Sequence, residues 1–356
     1  MKYRVIRELE IRTQAGMKKG EQRGVLLPGF IFDVVSEVSG DLHEGNSQWL
    51  QDVNGFFYWK GGVEAWQPSH PVSGLPKISY PGIVNLPPQV IASKGKGVVI
   101  AIFDTGCSYH PDLEGKIVAF YDAVEERVRT EKEYTDDSGH GTFVAGLIAS
   151  SGKTSGIAGL APEAALIIVK ISRDKAFSSG NLSKGLKWLL KEHSKKQIHF
   201  INMSFSCALP EHKKAEIEGL LKEAREAGMV MFGAGGDEKQ LFGATSYLNF
   251  PAKNPHVIPV GAVHKKPPAN SLLNPAVRFV VAAEKYHSLE VGTIGKGINQ
   301  GSSYATALTT AAAALFRASD IQGTASGELL IKTMADQLPP FQQLSSVSNL
   351  TMFKHV

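Results

Sequence analysis

Residues 97–106 read GVVIAIFDTG. From Val98 to Phe103 every residue is apolar, and then the chain turns to Asp104, Thr105 and Gly106. A run without polar alternation suits a strand buried on both faces, as in a parallel sheet covered by helices. An acid at the end of such a strand stands where open α/β sheets bind ligands. An Asp that caps the next turn is the plainer alternative, and the stretch alone does not separate the two.

Four further runs have the same form: AALIIVKIS (164–172), IHFINMSF (198–205), GMVMFGAG (228–235) and HVIPVGAV (256–263). Between them, LSKGLKWLLKEHSKK (182–196) and HKKAEIEGLLKEAREAG (212–228) carry apolar residues at helical spacing. Gly228 suits the C-cap of the second. Strand and helix alternation predicts an α/β fold, a parallel sheet with helices on both faces, from about residue 96 to 356.

Residues 1–70 follow another rule. YRVIRELEIRT, FIFDVVSEVS, QWLQDV and FFYWKGG are short, β-branched or aromatic runs broken by turn residues. The Asn54-Gly55 step is a hairpin signal. These runs predict a small β-barrel. Between the two parts, residues 71–95 hold Pro71, Pro76, Pro81, Pro87 and Pro88, which read as an extended linker.

Composition sets outer limits. The chain has 356 residues, with 43% hydrophobic and 20% charged. That is an ordinary globular balance. A net charge of +4 does not argue for nucleic acid. No run is apolar for long enough to span a membrane, and the N-terminus has no signal-peptide core. Cys107 and Cys207 make no disulfide framework and read as packing residues. The reading is a cytoplasmic protein, or a secreted one if the chain is a processed form. The histidines at 110, 193, 212, 256, 264 and 287 show no metal-ligand spacing.

Two more places share the form of Asp104. In DDSGHGTFVAGLIAS (136–150), His140 lies between two glycines at the start of a small-residue helix. In INQGSSYATALTTAAAALF (298–316), Ser302 and Ser303 open a helix rich in Ala and Thr. The positive end of a helix dipole favours negative charge there, and its N–H groups suit an oxyanion. Asp, His and Ser in that order form one arrangement of the catalytic triad.

The region from about 95 to 340 resembles the subtilisin family of serine peptidases. IFDTGCSYHPDL is similar to the family's Asp motif, SGHGTFVAG to its His motif and GSSYATALTTAAAAL to its Ser motif. INMSF and FPAKNPHVIPVGAV match two further segments in order. The resemblance implies a serine endopeptidase acting on polypeptides through Asp104, His140 and Ser303. It also implies that Ser204, Phe205 and Ser206 line the substrate groove.

Three departures stand out. Phe143 replaces a second histidine, and Ala307 replaces a proline of the serine helix. In FGAGGDEK (232–239), Gly236 and Asp237 occupy the region where the family places an asparagine that donates to the oxyanion. A deficient donor there would favour an alternative, a pseudo-peptidase or scaffold that binds peptides without cutting them. No cofactor is expected; calcium, which the family often holds, finds no carboxylate-rich loop. LLPGFIFDVVSEV and GNSQWLQDVNGFFYWKGGVE resemble bacterial SH3-like domains. That implies a peptide or cell-wall ligand for residues 1–70. The segment ISYPGIVNLPPQV (78–90) reads as a tether, with a partial shield over the groove as the alternative.

Overall fold

The structure is a computed structural model that describes residues 2–7, 9–17, 21–26, 31–52, 55–65, 86–174, 176–237, 248–263, 277–282, 285–292, 296–320, 326–337 and 351–353. Most of the proline-rich segment, 66–85, lies outside the described residues, and the expectation of a shield over the groove falls there.

The described residues up to Ala65 include an antiparallel sheet of seven strands: β1 (Lys2–Val5), β2 (Leu9–Arg12), β3 (Gln22–Leu26), β4 (Ile31–His43), β5 (Asn46–Asp52), β6 (Phe57–Trp59) and β7 (Val63–Ala65). Their order is β3-β2-β6-β5-β4-β1-β7. β5 and β6 pair antiparallel, and the Gly55 N–H donates to the Asp52 carbonyl; Asn54 of the expected turn lies outside the described residues. Trp49, Leu50 and Phe56 are buried at its centre.

The main sheet has nine strands. They are β8 (Val99–Asp104), β9 (Ile117–Asp122), β10 (Arg127–Val128), β11 (Ala165–Lys170), β12 (Phe200–Met203), β13 (Val230–Asp237), β14 (Val257–Val263), β15 (Phe279–Ala282) and β18 (Thr351–Phe353). A separate hairpin joins β16 (Tyr286–Leu289) and β17 (Lys296–Asn299). The order in the main sheet is β10-β9-β11-β8-β12-β13-β14-β15-β18, parallel except for β10. After β11 the chain crosses β8 to pair β12 on its other side. That reversal opens a crevice at the carboxyl ends of β8 and β12.

The apolar run of β8 is explained by its two faces. Ile100 and Ile102 join a core with α2 (His140–Ala149), α5 (Ser302–Ser319) and α6 (Gly327–Gln337). Ala101 and Phe103 join a second core with α3 (Ser179–Lys196) and α4 (Glu211–Glu226). α5 is buried on every side from Tyr304 to Phe316. Its threonines fit because the hydroxyls of Thr306 and Thr309 each donate to a carbonyl one turn back. The short helix α1 (Pro88–Ala92) falls inside the segment read as linker. Pro88 stands in its first turn, where the missing N–H costs nothing, and Val90 is buried in the first core.

Candidate active site

The carboxyl ends of β8 and β12 and the first turns of α2 and α5 meet at one place. Asp104 is fully buried. Its Oδ1 lies 2.7 Å from His140 Nδ1 and accepts from the Thr105 N–H at 2.8 Å. Its Oδ2 has no hydrogen-bond partner among the described residues. Such a buried lone pair is costly, and active sites are where such costs are kept.

His140 is the first residue of α2. The helix approaches β8 closely because residue 141 is glycine: a Cβ there would collide with the Gly106 carbonyl. Tyr304, the residue after Ser303, sets its ring 5.4 Å from the imidazole. Burial, and then the charge of Asp104, push the Tyr304 hydroxyl up to about 12, so it stays neutral.

Asp136 is the hub of this half of the site. It accepts from Thr105 Oγ1 (2.7 Å), from the N–H of Gly139 (2.9 Å) and from both the N–H and hydroxyl of Thr142 (2.7 Å each). Thr105 Oγ1 in turn accepts from the Gly141 N–H. The negative Asp136 side chain thus caps the positive end of α2. Lys170 ends β11, beside Asp104 in register, and is 2% exposed. Its ammonium donates to the Thr105 carbonyl and pairs with Asp137 at 2.6 Å. One lysine therefore ties the loop after Asp104 to the loop before His140.

Sequence reasoning did not find Asp136, Thr105 or Lys170. Their signals were present: adjacent acids ahead of Ser-Gly-His, and one lysine at the end of an apolar strand.

Ser303 is the second residue of α5. Its hydroxyl donates to the Ser204 carbonyl at 2.7 Å, while the Ser204 hydroxyl donates to the Ser303 carbonyl at 2.6 Å. Asn202 Nδ2 donates to Ser204 Oγ, and Thr310 donates to Asn202 Oδ1. The three residues expected to line a groove differ in place. Ser204 is buried against the serine turn, Ser206 is exposed, and Phe205 turns inward to stack on Phe177 at 4.6 Å.

Gly236 and Asp237 also separate. Gly236 has φ +111°, a conformation that side chains rarely adopt. Asp237 is the one that reaches the serine turn: its Oδ1 accepts from the Ser302 N–H at 2.9 Å. Gly301, at the N-cap of α5, has no side chain to do this.

The remaining expectations concern cysteines and metals. Burial pushes the Cys107 thiol up, and the Cys207 thiol up to about 12, so neither is a ready thiolate. Among the described residues no three His, Cys, Asp or Glu side chains converge as a metal set would. Asp112 spends both oxygens on the loop 151–155, accepting from Ser151 Oγ, the Thr154 N–H, and the N–H and hydroxyl of Ser155. No helix of the described residues is long and apolar enough to cross a membrane.

The family profile described as Subtilase family matches residues 95–337. The Major intracellular serine protease of Bacillus subtilis (strain 168) is 35% identical over 176 residues, 48% of this chain and 52% of that protein. Subtilisin BL of Lederbergia lenta is 30% identical over 226 residues, 63% of this chain and 77% of that protein. The matched part of this chain spans about half the length of the first of these relatives. Among solved structures, Sphericase overlays with a TM-score of 0.57 at 20% identity, covering 72% of this chain and 90% of that one. The main sheet with its flanking helices is a subtilisin-like α/β fold, and the chain belongs to the subtilase family.

Proposed function

We propose that the chain is a serine endopeptidase that hydrolyses polypeptides through Ser303, His140 and Asp104. The observation that carries this reading is the buried Asp104–His140 hydrogen bond of 2.7 Å beside the turn that presents Ser303. Asp104 holds the imidazole with its proton on Nδ1, which leaves Nε2 to act as a base. The Ser303 hydroxyl turns from the Ser204 carbonyl toward His140 and gives up its proton as Oγ attacks the scissile carbonyl. His140 returns the proton to the departing amine, leaving an acyl-enzyme that water hydrolyses by the same steps.

Once Ser303 turns away, the Ser204 carbonyl accepts a backbone N–H of an extended substrate, with Phe205 and Ser206 continuing that edge. The Ser303 N–H and the first turn of α5 supply the oxyanion site, with Asp237 at its rim. No cofactor takes part in these steps.

A serine-directed fluorophosphonate tests the assignment. It labels wild type on Ser303 and not on Ser302, and Ser303→Ala abolishes both labelling and casein cleavage. Labelling that survives Ser303→Ala sinks the assignment. Casein binding without cleavage by wild type would establish the pseudo-peptidase instead.

For residues 1–70 we propose an SH3-like accessory domain with a peptide or cell-wall ligand, supported by its seven antiparallel strands and its aromatic core around Trp49, Phe56 and Tyr58. Co-sedimentation of the full chain with murein, compared with binding to a proline-rich peptide array, distinguishes the two ligands; retention by neither removes the proposal. We place the protein in the cytoplasm, and cell fractionation checks that placement.

A further inference from the structure

At the opposite end of the main sheet from Asp104, an open cavity of about 240 Å³ lies where the strands begin. His193 and Gln197 from the end of α3, His199 just before β12, Arg317 from the last turn of α5, and Ser326 and Gly327 at the start of α6 line it. We propose that this cavity binds a phosphate group, free or as a small monoester.

The two histidines set the chemistry. His193 Nδ1 accepts the Ile198 N–H, and His199 Nδ1 accepts the Val99 N–H, both at 3.1 Å. A neutral ring that accepts through Nδ1 carries its hydrogen on Nε2. Each ring therefore offers an Nε2–H donor from its other edge. Burial holds His199 down to about 4, and the nearby charge of Arg317 adds to that effect. His199 is thus a neutral donor in a region of positive potential.

The surroundings agree. The lining residues include no carboxylate. Asp320 pairs with Arg317 Nη1 at 3.5 Å without lining the cavity. Arg225 stands behind the lining, its Nη1 being 3.6 Å from where a Cβ on Gly327 would lie. The positive end of α6, an 11-residue helix, opens at Gly327 on the same cavity. The carbonyl end of α3 opposes an anion, but Arg317 and the two histidines line the same cavity. A metal ion is disfavoured. Bound at Nε2, it would need each ring stripped to an imidazolate while Nδ1 kept its backbone donor, all beside Arg317. Arg317 suits phosphate because its planar fork can donate two parallel hydrogen bonds.

Isothermal titration of the intact protein with inorganic phosphate, against chloride at equal ionic strength, tests this. The expected result is saturable binding of one phosphate per chain that chloride does not reproduce. His193→Asn and His199→Asn keep an acceptor near the Nδ1 position and remove the Nε2–H, so each weakens binding about tenfold. O-phosphoethanolamine is the second ligand: tighter binding than phosphate assigns the site to monoesters, weaker binding to the free anion. A displaced His199 Nε2–H resonance on adding phosphate to wild type reads the contact without any variant. No saturable binding, wild-type affinity in both variants, or zinc binding lost in both would each overturn the proposal.

Discussion

The two halves of the active site are built differently. The Asp104–His140 half is a buried network in which Asp136, Thr105, Thr142 and Lys170 fix both loops from several sides. The Ser303 half rests on a reciprocal pair of bonds with Ser204, a link through Asn202 to Thr310, and one bond from Ser302 to the exposed Asp237. The first half is over-determined, so its geometry survives the loss of any single bond. The second carries the reacting hydroxyl, which has to change partner during turnover, and fewer bonds hold it. Rigidity is placed where a proton is held, and freedom where a bond is made.

The largest break in this comparison is Asp104→Asn. The backbone N–H of Thr105 still finds an acceptor, so the fold stays, but the imidazole is held in the wrong tautomer. Turnover on a peptide substrate falls by about 10⁴. A loss of less than tenfold would mean that His140 is not the base.

Next is the weaker half. Asp237→Asn keeps an oxygen for the Ser302 N–H and adds an amide donor beside the oxyanion site. Turnover rises, with the Michaelis constant little changed, since such a bond forms chiefly in the transition state. Losing one such donor costs a subtilisin about 10²–10³ in turnover, which sets the ceiling of the gain. An unchanged or lower rate would show that Asp237 only caps α5. Gly236→Asn, by contrast, strains a backbone at φ +111° and lowers stability.

Lys170→Met tests the network itself. It removes the link between the Thr105 carbonyl and Asp137, leaving Asp137 in solvent. Turnover drops about tenfold and stability by ~1–2 kcal/mol, seen as a lower urea midpoint. An unaltered pH profile of turnover alongside that loss would confine Lys170 to stability.

Asp112 gives the smallest effect, away from the chemistry. Burial works to raise its carboxyl, but the donors of Ser155 and Thr154 and the neighbouring His110 outweigh it and hold it below the usual range. A depressed folded value stabilises the protein at pH above the unfolded one, about 3.9, and the gain is lost as pH falls through the folded one. Asp112→Asn therefore costs ~1–2 kcal/mol at pH 7, and the gap to wild type closes below about pH 4. A gap that stays constant with pH would mean that the charge contributes nothing.

What the sequence disclosed follows from what each residue does locally. Apolar runs such as 98–103 announce strands because burial on both faces leaves no room for polar residues. His140 and Ser303 stood out because each lies in the first turn of a helix that follows a glycine. Asp136 and Lys170 stayed hidden because the bonds that tie them to Thr105 span 31 and 65 residues, and without those bonds the acids ahead of Ser-Gly-His read as ordinary turn residues. The orientation of Gly236 and Asp237 depends on the backbone after the irregular pairing of β13 with β14, which no spacing reveals. Pro88 misled in the other direction, because proline marks a helix's first turn as well as an extended chain.

The all-round burial of α5 has a consequence for mutational tolerance. Ala311, Ala312, Ala313 and Ala314 are each fully enclosed, so the helix has no side on which a larger residue could point outward. A library randomised across 311–314 would recover almost only alanine, with glycine and serine as weakened survivors, since added volume in a packed core costs about 1–3 kcal/mol. Four residues that touch no substrate would look as invariant as the residues that do the chemistry.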